Sequence, residues 1–146
     1  MVPHSPRLIA VGLSHKTAPI EVRERLAVQE GAIAKLLGKL KAEDMSEETV
    51  LLSTCNRVEM YCVPGKRGTP ERLARWLADT GGLAGQTADA HMYHLEERAA
   101  LRHIFRVASS LDSMVLGETE ILGQVKTAYR LAQEHSSAGP VMHRVM

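Results

Sequence analysis

Aromatic side chains are scarce in this chain of 146 residues, at 3% of the total. This scarcity argues against a site that stacks successive bases of a single-stranded nucleic acid on aromatic rings. Only two cysteines are present, too few for a disulfide scaffold. No apolar run approaches the ~18 residues of a membrane span, and the N-terminus MVPHSPRLIAVGL is not a signal peptide. These absences predict a cytoplasmic protein with free thiols and no membrane partner.

An excess of charge of one sign is also missing. The chain has 18 Lys and Arg residues against 17 Asp and Glu residues, for a net charge of +1. This balance predicts no basic arm and no extended basic face, so any contact with a polynucleotide must be local. The sequence contains neither GxGxxG nor a P-loop pattern, so no nucleotide site is visible. The length is that of one domain, which can bury a core without disulfides.

The periodicity of apolar residues predicts an α+β fold. Short apolar or alternating runs predict strands, and apolar residues at helical spacing predict helices. The resulting order, β-α-β-β-α-β followed by two C-terminal helices, matches the ferredoxin-like split βαβ motif. The predicted strands are residues 7–15, 49–53, 57–63 and 91–95, and the predicted helices are 30–41, 70–81, 96–110 and 118–134, with a further helical turn at 20–27.

Three local signals refine these elements. Thr69 followed by Pro70 predicts a capped helix start, and Gly81 predicts its end. The apolar stripes of the last two helices are predicted to comprise Leu101, Ile104, Phe105, Ala108 and Leu111, and Ile121, Leu122, Val125, Ala128 and Tyr129. The stretch SSAGP at 136–140 predicts a helix stop. We therefore predict a domain at residues 1–137 and the beginning of another element at 138–146.

The two cysteines have different predicted environments. Val58, Met60 and Cys62 share one face of an alternating strand, so Cys62 should face the core as a small, inert apolar side chain. Cys55 lies at a turn between two strands, near the permanent charge of Arg57, which would favour a nucleophilic thiolate. The alternative for Cys55 is an ordinary loop thiol, and residue type and position alone favour it. The spacing of the two cysteines does not fit a zinc pair.

Other polar residues also have two interpretations, one functional and one structural. Arg57 could hold a carboxylate by a bidentate pair, but its position alone favours a solvated arginine at a strand edge. His103 lies beside the apolar stripe of its helix, where a structural role is the more common one. His15, in a loop after the first strand, could be structural or functional.

The stretch SSLDSMVLGETE at 109–120 is a polar junction between two helices, which meet at Gly117. Glu118 and Glu120 lie in the first turn of the second predicted helix, where a carboxylate interacts favourably with the positive end of the helix dipole. Glu120 and Gln124 share one helix face. The junction could bind a small amino acid or a sugar hydroxyl, or it could be only a capped turn.

Several of these stretches together resemble one family, the glutamyl-tRNA reductases of five-carbon tetrapyrrole (porphyrin and heme) synthesis. The resemblance covers the N-terminal catalytic domain, here residues 1–137. Residues 138–146 resemble the start of the linker toward an NADPH-binding Rossmann domain, which is absent here. The matching stretches are GLSHKTAP at 12–19 with RE at 23–24, LSTCNRVEMY at 52–61, FRVASSLDSMVLGETEILGQVK at 105–126 and AGPVMHR at 138–144.

The resemblance implies a thioester mechanism. Cys55 would attack the ester carbonyl that joins glutamate to the tRNA 3′ end, and NADPH would then reduce the thioester to glutamate-1-semialdehyde. His103 matches a family histidine important for activity, and no metal is implied. The implied substrate-binding residues are Thr54, Asn56, Arg57, Ser113, Glu118, Thr119, Glu120 and Gln124, with Glu120 standing where many members have glutamine.

The resemblance also implies partners. These are the substrate glutamyl-tRNA, a second copy of the full-length chain bound through an absent C-terminal domain, and the downstream aminomutase. Two alternatives remain open: a non-catalytic module of the same fold that binds tRNA or a protein, and a different thiol acyl-transferase.

Overall fold

Four strands and seven helices lie in the part of the chain that the computed structural model describes, residues 7–83, 85–113 and 120–146. The strands are β1 (Ile9–Ser14), β2 (Ser46–Ser53), β3 (Arg57–Pro64) and β4 (Tyr93–Glu96). The helices are α1 (Ile20–Leu26), α2 (Glu30–Ala42), α3 (Pro70–Thr80), α4 (Gly85–His91), α5 (Glu97–Ala108), α6 (Glu120–Glu134) and α7 (Pro140–Val145).

The strands form one antiparallel sheet in the order β2-β3-β1-β4. This is the order of the ferredoxin-like split βαβ motif, so the predicted α+β fold is confirmed. Strands β3 and β1 occupy the centre, and β2 and β4 form the edges. The turn at residues 54–56 therefore joins an edge strand to a central one.

Helices cover both faces of the sheet. Under α2 and α3, the face includes Val58, Met60 and Cys62 of β3, which confirms that Cys62 points into the core. Under α5 and α6, the opposite face includes Tyr61 and Val63 of the same strand. Because both faces are covered, β3 is buried from Arg57 to Val63.

The capping residues predicted for the start of α3 are confirmed. The Thr69 hydroxyl accepts the backbone N–H of Arg72, and Pro70 is the first residue of α3, as predicted. Helix α4 was missed because GQTADAH has no apolar stripe and buries only Ala88. Strand β4 consequently begins at Tyr93, two residues later than predicted.

The predicted apolar stripes of α5 and α6 were wrong at three positions. Phe105 and Leu111 are 53% and 49% exposed, and Leu122 is 45% exposed. The residues of α5 that pack against the sheet form a row of one small and two branched side chains. A search for large apolar residues overlooks such a row. That buried row is Ala100, Ile104 and Val107.

Helix α7 packs against the sheet through Met142, which is fully buried. The carboxylate of Glu48, on β2, accepts the backbone N–H groups of Gly139 and Met142 at 2.7 and 2.9 Å. A carboxylate at this end of a helix satisfies backbone donors that lack partners within the helix. Residues 139–142 are thereby fixed to the edge strand. Within the described ranges, no helix is long and apolar enough to cross a membrane.

Candidate active site

Cys55 lies exposed at the tip of the turn between β2 and β3. The Thr54 hydroxyl accepts the backbone N–H groups of Asn56 and Arg57 at 3.1 and 3.2 Å. The Thr54 N–H donates to the Arg57 carbonyl at 2.8 Å, which closes the turn. A threonine hydroxyl that bonds its own backbone a few residues on is a common way to fix a turn. The thiol is therefore both accessible and mounted on an ordered backbone.

Two neighbouring segments hold this turn from outside. The guanidinium of Arg23, on α1, donates to the Cys55 carbonyl at 3.2 Å and to the Ala18 carbonyl at 2.7 Å. The backbone N–H of His15 donates to the Asn56 carbonyl at 2.8 Å. No role was predicted for Arg23, although it belongs to a stretch that carried the family resemblance. The cation in direct contact with the backbone of Cys55 is thus Arg23 rather than Arg57.

Arg57 is buried, with 1% of its surface exposed. Its guanidinium donates to a Glu59 carboxylate oxygen at 3.3 Å, and to the side chain and backbone carbonyl of Asp112 at 3.0 and 2.5 Å. Burial opposes its charge, but the carboxylates of Glu59 and Asp112 outweigh burial and raise the pKa of Arg57. The interpretation of Arg57 as a solvated strand-edge residue was wrong, because β3 is central and α5 covers that face.

Glu59 is a fully buried carboxylate with four hydrogen-bond donors around it. One oxygen accepts from Arg57 and from the Tyr61 hydroxyl, the latter at 2.8 Å. The other oxygen contacts the Tyr93 hydroxyl and His103 Nε2. Burial favours the neutral acid, but His103 and Arg57 outweigh it and lower the pKa of Glu59. The carboxylate is therefore held ionised inside the fold.

A glycine provides the space for this arrangement. Gly12 of β1 lies directly between Glu59 of β3 and Tyr93 of β4 in the sheet register. A Cβ atom at Gly12 would lie 2.9 Å from Glu59 Cγ and 2.2 Å from the Val58 carbonyl oxygen. The missing side chain lets the Glu59 carboxylate pass over β1 and reach the Tyr93 hydroxyl.

Asp112 extends the charged cluster toward the surface. Its carboxylate accepts from Lys16 Nζ at 2.6 Å as well as from Arg57. Burial opposes ionisation of Asp112, but Lys16 and Arg57 outweigh it and lower its pKa. Charges of alternating sign therefore run from the exposed Lys16 through Asp112 and Arg57 to Glu59, whose carboxylate contacts His103. We refer to these five residues as the charge chain.

His15 lies beside the charge chain. Its Nδ1 atom is buried and has no hydrogen-bond partner within the described residues. Burial and the nearby charge of Arg57 lower the pKa of His15. This histidine is consequently neutral near pH 7, next to the turn that carries Cys55.

Seven of the ten residues proposed from the sequence line one small cleft, together with Ile121. The cleft is small, with a volume of about 30 Å³. The seven residues are Thr54, Cys55, Asn56, Arg57, Ser113, Glu120 and Gln124.

His103 is described by the structure but does not line the cleft. It is 14% exposed at its side chain and packs edge-on against Tyr93, with ring centroids 5.7 Å apart. Within the described residues, it is linked to the turn of Cys55 through Glu59 and Arg57. Glu118 and Thr119, like Gly117, lie outside the described residues.

A larger groove of about 540 Å³ adjoins the cleft. Glu120 and Gln124 of α6 line both cavities, so the two are continuous at these side chains. The floor of the groove is apolar, with Ile33 of α2 and Leu51 of β2, while Glu30 and Thr127 contribute polar groups. Because β2 is an edge strand, the groove is open along that side of the sheet.

Cys62 differs from Cys55 in every respect. It is fully buried, and the Thr49 hydroxyl donates to its sulfur at 3.9 Å. Burial raises the pKa of Cys62 to about 11, so it remains a thiol at neutral pH. Within the described ranges, no group of three or more His, Cys, Asp or Glu residues is placed to hold a metal ion.

Comparison with known proteins points to one family. A sequence model described as "Glutamyl-tRNAGlu reductase, N-terminal domain" matches residues 11–146. Glutamyl-tRNA reductase from Pelobacter propionicus is 47% identical over 140 residues, which is 95% of this chain and 32% of that protein. Glutamyl-tRNA reductase from Neisseria meningitidis serogroup B is 48% identical over 133 residues, or 91% of this chain and 31% of that protein.

The fold agrees with a solved structure. The structure titled "Glutamyl-tRNA Reductase from Methanopyrus kandleri" superposes with a TM-score of 0.76 at 32% identity. The match covers 97% of this chain and 32% of that chain. The chain therefore spans about a third of the length of the relatives that it matches.

Proposed function

Because the chain belongs to the family of glutamyl-tRNA reductase N-terminal domains, we propose that it forms a thioester with the glutamyl group of glutamyl-tRNA. One observation carries this proposal. Seven residues that the family resemblance named from distant parts of the sequence line a single cleft around an exposed cysteine. A loop thiol with no function would have no reason to lie among them.

The proposed step is a transfer of the glutamyl group from oxygen to sulfur. The Cys55 thiol loses its proton, and the thiolate attacks the ester carbonyl that joins glutamate to the tRNA. A carbon–sulfur bond forms and the carbon–oxygen bond to the terminal ribose breaks. The ribose oxygen leaves with the bonding electron pair and takes up one proton, so the step consumes no net proton and needs no oxidant or reductant.

Charged groups at the cleft and space in the adjoining groove favour this substrate. Glu120 is an exposed carboxylate at the cleft and suits the ammonium group of the glutamyl residue. Arg57 also lines the cleft, and its guanidinium suits the side-chain carboxylate, which would have to compete with Asp112 for it. The adjoining groove of about 540 Å³ has room for the terminal nucleoside. Its acidic residues suit an uncharged nucleoside better than a phosphate.

NADPH does not fit the residues of this chain. The sequence contains no glycine-rich turn between a strand and a helix of the kind that binds a pyrophosphate. We therefore assign reduction of the thioester by NADPH to those parts of the longer relatives that this chain does not span. Homodimer formation and a contact with the aminomutase belong to the same proposal for the longer protein, with a cytoplasmic location.

The proposal is tested with glutamyl-tRNA labelled in its glutamate. After incubation with the chain and separation on an acid gel, label should stay on the wild-type protein and on Cys62→Ser. It should be absent from Cys55→Ser. Unlabelled wild-type protein, or equal labelling of Cys55→Ser, would refute the thioester mechanism.

A non-catalytic glutamyl-tRNA-binding domain is the second candidate. It is favoured by one observation: within the described residues, no side chain forms a hydrogen bond with the Cys55 sulfur. The rate of reaction with iodoacetamide at neutral pH separates the two candidates. A thiolate activated for attack reacts faster than a free cysteine, whereas an ordinary thiol with a pKa of ~8.5 reacts at the same rate.

A further inference from the structure

Three arginines of α5 form a row on its outer surface. Arg98, Arg102 and Arg106 are spaced four residues apart and are all exposed. Residues four apart lie on one helix face, about 6 Å apart along the axis. We call these three residues the arginine row. It contradicts the expectation, drawn from the balanced net charge, that the chain has no basic face.

The charges of the arginine row are not neutralised within the described part of the chain. None of the three side chains takes part in an ion pair or a side-chain hydrogen bond there. The acidic residues at the start of the helix, Glu96 and Glu97, pair with Arg7 instead. The row therefore presents three positive charges to an external partner.

The surroundings of the row suit a phosphate backbone. Two shallow depressions of about 330 and 410 Å³ flank the helix, and all three arginines line both of them. The guanidinium group matches the geometry of a phosphate, to which it can donate two parallel hydrogen bonds. Phe105, 53% exposed beside the row, offers a ring surface for a sugar or an unpaired base.

The row leads away from the candidate active site. Arg106 precedes Ser109, which lines one of the depressions, and the chain continues to Ser113 in the cleft of Cys55. A molecule held at the thiol by its end could therefore extend along α5. This direction suits a substrate whose reactive ester sits at the end of a long polyanion.

We propose that the arginine row binds phosphates in the acceptor arm of the glutamyl-tRNA. This inference rests on the proposed function, because the identity of the RNA comes from it. An acidic polypeptide is the competing occupant. The regular spacing of three arginines along one face of α5, unpaired within the described residues, favours the phosphate backbone.

Binding of uncharged tRNA specific for glutamate tests the inference, with a matched control. One variant carries Arg98→Gln, Arg102→Gln and Arg106→Gln. The control variant carries Lys35→Gln, Arg72→Gln and Arg75→Gln, which removes the same charge from exposed positions of α2 and α3 on the other face of the sheet. Affinity is measured over a series of salt concentrations.

The wild type and the control variant should bind with the same salt dependence. In the arginine variant, the slope of log affinity against log salt should be shallower by about 2–3, since each phosphate contact contributes roughly 0.7–0.9. Replacing the three arginines by lysine should preserve most of the slope. Equal slopes for the arginine variant and the control would overturn the inference, as would an absence of tRNA binding by the wild type.

A short substrate separates this inference from the proposed function. Glutamate esterified to a single nucleoside cannot reach the arginine row, so it should label Cys55 equally in the wild type and in the arginine variant. Reduced labelling of the variant by this ester would overturn the inference, because the row would then act on the cleft. Binding of a polyglutamate peptide in preference to tRNA would overturn it in favour of a protein partner. Failure of Cys55 to take label from either substrate would instead refute the proposed function.

Discussion

Arg57 and Glu59 lie two residues apart on one face of β3 and form an ion pair at 3.3 Å, with side chains 2% and 0% exposed. A charge pair on a central strand is costly to bury unless further groups satisfy it. Here Asp112 completes the contacts of Arg57, while Tyr61, Tyr93 and His103 complete those of Glu59. The pair fixes the position of the strand that begins immediately after the Cys55 turn.

Replacing Glu59 by glutamine should destabilise the fold strongly. Arg57 would keep only its ion pair with Asp112, and His103 would lose the carboxylate that it contacts. Removal of one member of a buried pair costs about 3–5 kcal/mol. Urea denaturation measures the change in the free energy of unfolding. Glu47→Gln is the matched control, because Glu47 is exposed on β2, and it should change stability by less than about 0.5 kcal/mol. Equal effects of the two variants would contradict the role given to Glu59.

Acid should weaken the fold in two stages. The pKa of His15 is lowered by burial, so below its ordinary value of 6.5 the unfolded chain binds a proton that the folded chain does not. The pKa values of Glu59 and Asp112 are also lowered, from 4.5 and 3.8, so their contribution is complete above those values and is lost as the pH falls below them toward the pKa values of the folded state. Denaturation at about pH 7, 5.5 and 3 measures this decline. His15→Gln should reduce the first stage and leave the second; an unchanged first stage would refute the assignment.

His103 should act by positioning Glu59 rather than by exchanging protons with substrate. His103→Leu removes a donor to a buried carboxylate and should cost about 1–3 kcal/mol while lowering thioester formation. His103→Gln keeps an N–H donor but cannot titrate, so it should retain most of the thioester formation. The yield of labelled protein as a function of pH is the measurement. Equal loss in both variants, despite stable folds, would show that the titratable imidazole itself is required.

The two thiols should be separable by alkylation. Iodoacetamide should modify the native protein once, at Cys55, and modify Cys62 only after unfolding, because Cys62 is fully buried and its pKa is raised to about 11. Mass spectrometry of peptides gives the site and the extent. Modification of Cys62 in the native protein would contradict its placement in the core. Cys55→Ser serves as the control for background labelling.

Gly12→Ala should disturb the charge chain at Glu59, which lies opposite Gly12 in the sheet. The added methyl group would lie closer to the Val58 carbonyl oxygen and the Glu59 side chain than van der Waals contact allows, so Glu59 or the backbone must shift. We expect a loss of about 1–3 kcal/mol from this crowding. Gly38→Ala on α2 is the control, since nothing lies within 4 Å of the added atom there. Comparable stability of the two variants would show that the Glu59 region can relax freely.

Features fixed by neighbours in sequence were predictable. The cap formed by Thr69 and Pro70 and the inward direction of Cys62 follow from a few adjacent residues, and both are confirmed. The burial of Arg57 was not predictable, because it depends on Asp112, 55 residues away, and on a helix covering the second face of the sheet. The alternation of β3 distinguishes its two faces but does not reveal what lies over each.

The candidate site likewise has a part that could be predicted from the sequence and a part that could not. The residues around Cys55 came from matched motifs, whereas the pairing of Lys16 with Asp112 joins positions 96 residues apart, and no local pattern indicates it. The arginine row was present in the sequence at regular spacing. It was missed because whole-chain charge averages over both faces of the fold, and because Phe105 was assigned to the buried side of α5.

Strand β3 is hydrogen-bonded to β2 on one side and to β1 on the other, so, like β1, it is better protected from solvent exchange than the edge strands. Its amide hydrogens should exchange with deuterium only when the whole domain opens. The Cys55 turn is continuous with this strand through Arg57, so fraying of the edge strand β2 leaves one end of the turn held. Complete release of the reactive turn therefore requires the whole domain to unfold.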